Sequence, residues 1–266
     1  MRPILRSSWM QSYPPNRIPP IVACIREHPP NTPPTLASIP QLNSLMMQRN
    51  LFSSLIRDMQ ETEFHHWGFV IYRCAYADQS QWDRYFEFFK AAVEDELEYR
   101  GLSSLLMKYC DWTVIHDPAT LDGASKDIVR QRFAAWAAGR SAERDGPGAD
   151  RPTVELMPRF RYCVYVDQGC LDTVDQYYSW VEEGSPRHIR KVVCVILDKD
   201  CDHRGRGRGG QESVEGCLRS YTGWMYAIVE SIPGVYNRLS YEDLGEGDYY
   251  RPPSVWPLSK SMPLQY

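Results

Sequence analysis

Residues 66–99 read HWGFVIYRCAYADQSQWDRYFEFFKAAVEDELEY, and they decide the fold class. His66 to Tyr76 is rich in aromatic and β-branched side chains, the composition of a pleated, half-buried strand. Beyond it the apolar spacing changes. Trp82, Phe86, Phe89, Val93 and Leu97 recur at helical steps, forming one stripe on a helix over residues 81–99. Ser80 is placed to cap that helix, and Asp83 falls in the first turn, where the dipole favours an acid. Gly101 is a suitable stop. A strand feeding a helix with one apolar face must pack as a layer of helix on sheet.

The pattern repeats downstream. Trp112 to Ile115 reads as a second short strand, followed by the loop HDPATLDGAS. Ser125 caps a second helix with Val129, Phe133, Trp136 and Ala137 on its inner face, ending at Gly139. Residues 140–151 (RSAERDGPGADR) read as a solvated linker inside the domain. Phe160 to Val166 is the third strand, and a helical stretch near 170–183 follows. Lys191 to Leu197 is the fourth strand and the most continuously apolar, which places it centrally. Trp224 to Val229 is a fifth strand or buried edge, and Ile232 to Leu239 a final short helix.

This β-α-β-α-β-(α)-β-β order predicts one α/β (α+β) domain over residues 64–245. Its single-layer sheet would have four to five strands with helices packed on it, ferredoxin-like or a variant. A doubly wound sheet of Rossmann type would want a glycine-rich turn after the first strand, and RCAYADQS has none. YCVYVDQGC and VCVILDKDC echo each other, as two neighbouring strands ending in similar turns would.

Outside this body the composition changes. Ten of the twenty prolines lie in the first forty residues, with no glycine among them. Residues 1–41 therefore read as an extended, disordered tail. Residues 42–63 allow a short helix or linker. Residues 246–266 are broken by prolines and are expected to run along the surface.

Charge and cysteines bound the function classes. The chain of 266 residues has 30 basic and 34 acidic residues, net −4, which excludes a generally basic nucleic-acid binder. No apolar run approaches the roughly 20 residues a membrane span needs. Eight cysteines without an apolar leader, several inside strand-like runs, point to a reduced, cytoplasmic protein. The early arginines Arg2, Arg6, Arg17 and Arg26 leave mitochondrial import as a rival, although Pro14-Pro15 and Pro19-Pro20 would break a targeting helix.

The candidate chemistry is sparse. His116, Asp117 and Asp122 flank the loop between the second strand and its helix, and they form the best acid–base cluster. Cys201 and His203 form one metal-ligand pair where zinc sites use two, so no metal and no cofactor are expected. Arg204, Arg206 and Arg208 stand among glycines, in the manner of segments that bind single-stranded RNA weakly. Arg187, His188, Arg190 and Lys191 stand at the other end of the fourth strand, too far away to complete a compact phosphate patch.

The blocks HWGFVIYRCAYADQSQWDRYFEFF, DWTVIHDPATLDGASKDIVRQRFAAW and RFRYCVYVDQGCLDTV resemble a widespread family of uncharacterised proteins from filamentous fungi. The likeness covers residues 64–240 and leaves the proline-rich head outside. It implies a fungal source and one domain, and it carries no catalytic residue. The resulting expectation is a domain that binds a protein partner or small ligand rather than catalysing. A small-molecule enzyme built on the His/Asp cluster and a weak RNA binder built on the Arg/Gly loop are the alternatives.

Overall fold

The computed structural model describes residues 30, 32–34, 52–184, 190–201, 212–247 and 249–258. Its longer elements, in chain order, are α1 (Ser53–Thr62), β1 (Val70–Arg73), α2 (Gln79–Tyr99), β2 (Val114–Ile115), α3 (Lys126–Ala138), β3 (Tyr162–Val166), α4 (Gln168–Glu183), β4 (Val193–Asp198), β5 (Trp224–Ile228), α5 (Ile232–Leu239) and β6 (Val255–Trp256). One-turn helices fill several connections.

The local rules that start and stop these helices are visible in their caps. Asp78, not Ser80, caps α2: its carboxylate accepts the Gln81 N–H at 3.1 Å, which moves the start two residues upstream of expectation. Gly101 follows the end with φ +69°, a conformation open to glycine. Ser125 caps α3 as expected, and Gly139 follows its last residue.

The sheet has six strands in the order β2-β1-β3-β4-β5-β6. Strand β1 pairs in parallel with both β2 and β3, placing Ile71 opposite Val114 and Val164. Strand β4 is antiparallel to β3 and to β5. Strand β6 pairs in parallel with β5, Tyr226 facing Val255. The expected count of four to five strands is therefore corrected to six. The additional strand comes from the C-terminal run, where two residues between prolines suffice. An edge position tolerates flanking prolines, whose missing N–H groups would break a central ladder. The echoing segments 162–170 and 193–201 do form adjacent strands, but antiparallel ones, so their turns lie at opposite edges.

The two faces are told apart within β1. Tyr72 meets Phe133 of α3 edge-on at 6.2 Å, while Arg73 lies 4.8 Å from the Trp82 ring of α2. Successive strand residues point to opposite faces, so α2 and α3 cover opposite sides of the sheet. A ferredoxin-like sandwich keeps its helices on one face of an antiparallel sheet, and that expectation is corrected too. The half made of β2, β1 and β3 is wound on both faces. The missing glycine-rich turn bears on whether phosphate can approach the backbone there, not on how the chain winds.

The core reaches past residues 64–245. Phe52, Leu55, Ile56 and Met59 of the α1 region are buried in it, and so is Val255 of β6. Residues 42–51 lie outside the described residues. A second apolar cluster gathers Phe64, Ala137, Ala149, Val154, Met157 and Phe160. It draws in the stretch expected to be solvated: the Asp145 side chain is fully buried, accepts the Ser141 N–H at 3.1 Å and pairs with Arg144 at 2.8 Å. Arg159, also buried, donates to the Gly68 carbonyl (2.9 Å), the Asp111 carboxylate (2.7 Å) and the Thr113 hydroxyl (2.9 Å). Among the described residues, no helix is long and apolar enough to cross a membrane.

Candidate functional site

Because β1, β2 and β3 are parallel, their carboxyl ends share one edge of the sheet. From β1 the chain crosses over α2 to β2, and from β2 it crosses over α3, on the other face, to β3. Open sheets bind ligands outside the carboxyl ends at such a reversal of direction. The N-termini of α2, α3 and α4 gather at the same edge, capped by Asp78, Ser125 and Asp167.

Arg73, the last residue of β1, is the centre of this edge. It is 1% exposed, and burial draws its pKa below the usual guanidinium value. Its Nε donates to the Ala75 carbonyl at 2.8 Å and its Nη1 to Gln79 Oε1 at 2.7 Å. The guanidinium carbon stands 4.4 Å from the Tyr76 ring centre and 4.8 Å from that of Trp82, so two aromatic faces hold it. Nη2 makes no hydrogen bond among the described residues. Asp83 and Asp122 contribute compensating charge without pairing directly with it.

Tyr76 extends this arrangement toward β2. Its hydroxyl accepts the Asp117 N–H at 3.0 Å, and its ring meets the His116 ring edge-on at 5.1 Å. His116 and Asp122 are exposed, and Asp117 is half-buried. The three residues singled out from sequence therefore do lie at the carboxyl edge. Among the described residues, however, no hydrogen bond joins His116 to either carboxylate. Asp117 is instead engaged by the Thr120 hydroxyl and by Arg132 at 3.3 Å, and these bonds hold its carboxyl below the usual range. A carboxylate held in that way is a poor general base.

Two further groups border the edge. Gln81 bridges the helices: its Nε2 donates to Asp175 (2.8 Å) and Asp172 (3.2 Å), while its Oε1 accepts from Gln168 (2.8 Å). Lys126, at the start of α3, is buried with its ammonium 4.2 Å from the Trp224 ring centre and 5.1 Å from that of Tyr165. Glu215 closes on it at 2.6 Å from a turn in which both Glu215 and Gly216 have positive φ.

Sequence reasoning missed Arg73, Tyr76 and Lys126. One signal was available for Arg73, as the single charge inside the run GFVIYRCAY. A charge in a buried strand requires specific partners. Nothing marked Lys126, because its aromatic neighbours come from β3 and β5.

Burial sets the character of the core thiols. Burial pushes the Cys74 thiol up to about 12, and Cys163 and Cys170 well above their ordinary value, so these cysteines are small core side chains rather than nucleophiles. Among the described residues, no group of three or more His, Cys, Asp or Glu side chains is arranged to hold a metal ion. His203, Arg204, Arg206 and Arg208, with Arg187 and His188, lie outside the described residues. Lys191 is paired with Glu230 at 3.0 Å. Among the described residues, a small void of about 10 Å³ lies between Trp67, Phe69, Phe89 and Trp112, away from this edge. Comparison of the chain with family models, with curated proteins and with solved structures finds no match.

Proposed function

We propose that this protein is a binding domain whose small polar ligand sits at the carboxyl edge of β1 and β3. Its recognition donor is Arg73. The observation that carries this reading is the state of that side chain. The residue is buried and held on two aromatic rings, with its Nε and Nη1 bonded, while Nη2 makes no hydrogen bond among the described residues and is not one of their closed-off polar atoms, so it faces the open side of the edge. A guanidinium fixed in this way offers its remaining donor, already oriented, to an incoming acceptor. A ligand carboxylate, phosphate or carbonyl oxygen supplies one. The nearby Asp83 and Asp122 select against ligands of high negative charge and favour those with donors of their own.

Binding is favoured over catalysis because Asp117 is already engaged and, among the described residues, no acid is hydrogen-bonded to His116. Native mass spectrometry of the purified chain, followed by saturation-transfer NMR with a panel of small carboxylates, amides and phosphate esters, tests it. The expected result is a ligand whose signal is lost in Arg73→Lys and retained in His116→Ala. If no compound binds the wild type, or if binding is indifferent to Arg73→Lys, the reading fails.

A further inference from the structure

Part of the proline-rich head does not stand apart from the domain. Three side chains from separate places meet three of its backbone carbonyls. His65 Nδ1 lies 3.2 Å from the Pro30 oxygen, the Tyr109 hydroxyl donates to the Thr32 oxygen at 2.7 Å, and Gln60 Nε2 donates to the Pro34 oxygen at 3.0 Å. Pro34 is buried against the domain. Gln60 belongs to α1, His65 to the approach to β1, and Tyr109 to the turn before β2, so only the assembled fold brings these donors together.

The chemistry of the contact suits one class of ligand. Proline has no N–H and cannot join a strand ladder, so at Pro30, Pro33 and Pro34 the backbone offers acceptors only. The domain answers with donors only. A carbonyl cannot donate, so Nδ1 of His65 must carry the proton, which sets the ring's tautomer. Recognition of proline-rich backbone by side-chain donors and an aromatic wall is a recurring mode of peptide binding, since the stretch is stiff and loses little entropy on docking.

We infer that the surface formed by Gln60, His65 and Tyr109 is a recognition site for a proline-rich peptide, occupied in this chain by its own residues 30 and 32–34. The site is separate from the carboxyl edge and does not depend on the ligand proposed there. The occupant is the chain's own segment, seated by three hydrogen bonds and a buried proline.

The test uses the full chain. A fluorescent peptide with the sequence of residues 27–36 is titrated into the wild type, into Pro34→Asp, and into Pro34→Asp combined with Gln60→Leu and Tyr109→Phe. The aspartate displaces the resident segment, so the peptide should bind Pro34→Asp at least tenfold more tightly than the wild type. The added substitutions should weaken that binding at least tenfold. A peptide that ignores Pro34→Asp, or binds it and the triple variant equally, overturns the proposal. Independently of any variant, wild-type NMR should show an Overhauser contact from the Tyr109 ring to Thr32 or Pro33, and its absence overturns the proposal as well. A wild-type dimer that Pro34→Asp converts to monomer would overturn the assignment of the occupant, by showing a second copy's segment in the site.

Discussion

The Arg73 guanidinium lies 4.8 Å from the centre of the Trp82 ring, and both side chains are buried. A charge in this position is stabilised by its geometry, not by a carboxylate in direct contact. Arg73→Met would leave the Ala75 carbonyl and Gln79 Oε1 without their donors, and should cost about 2–4 kcal/mol in urea unfolding. Arg73→Lys keeps the charge but loses the planar fork and much of the stacking, and should cost about 1–2 kcal/mol. Equal losses for the two variants would show that planarity contributes nothing here.

The helix stripe read from sequence separates into two classes once burial is known. Phe89 is 1% exposed, whereas Phe86 is only half-buried and stacks on Trp82 at 5.6 Å. Phe89→Ala should destabilise by about 3–5 kcal/mol and Phe86→Ala by roughly half that. Trp136, also half-buried, is stacked between Phe133 and Phe160 at 5.9 and 5.6 Å. It should fall between the two in the same denaturation series.

Asp58 supplies a pH test. Burial pushes its carboxyl up to about 6, against a partial opposing effect from a hydrogen bond to Ser240. Between the unfolded value near 3.8 and that raised value, the folded protein binds the extra proton. Its contribution to stability is therefore greatest at low pH, declines as pH rises through about 6, and levels off above that. Asp58→Asn should be more stable than wild type at pH 8, with the difference vanishing near pH 4. Thermal unfolding of both proteins across that range provides the check, and a constant offset would contradict the assignment.

Two glycines with positive φ should respond differently to alanine. Gly68 has φ +107°, and a Cβ there would stand 2.8 Å from the Asp111 carbonyl oxygen. Gly184 has φ +60° with open space around it. Gly184→Ala should cost about 1 kcal/mol, the price of a left-handed residue, whereas Gly68→Ala adds a backbone clash and should cost at least about 2 kcal/mol. Chemical denaturation distinguishes them, and similar losses would place Gly68 in a roomier turn than the one described.

Much of the local architecture was legible because local chemistry sets it. Ser125 and Gly139 bracket α3 through hydrogen bonds within a few residues, and the spacing of Val129, Phe133 and Ala137 expresses the helical period. The candidate loop His116–Asp122 was placed at a strand end from the same kind of signal. By contrast, α2 starts at Asp78 because two capping residues compete two positions apart, and sequence alone ranks them weakly. The buried Asp145 was read as solvent-exposed because its stretch is polar throughout. The same part of the chain contributes Ala149 to an apolar cluster with Phe64, which is distant along the chain.

The sequence by itself determined that strands alternate with helices, where most of the longer helices begin and end, and which apolar stripe of each helix faces inward. Those properties follow from hydrogen bonds and periodicities spanning a few residues. Only the tertiary structure decided the strand order, the two-sided winding around β1 and the sixth strand at β6. Pairing between distant segments is selected by the packing of whole faces, and no short window of sequence contains both partners. The same holds for three of the arrangements described above. Arg73 between Tyr76 and Trp82 draws on a strand, its turn and a helix, Lys126 needs Trp224 from almost a hundred residues away, and the carbonyls of the proline-rich segment meet donors from three separate elements.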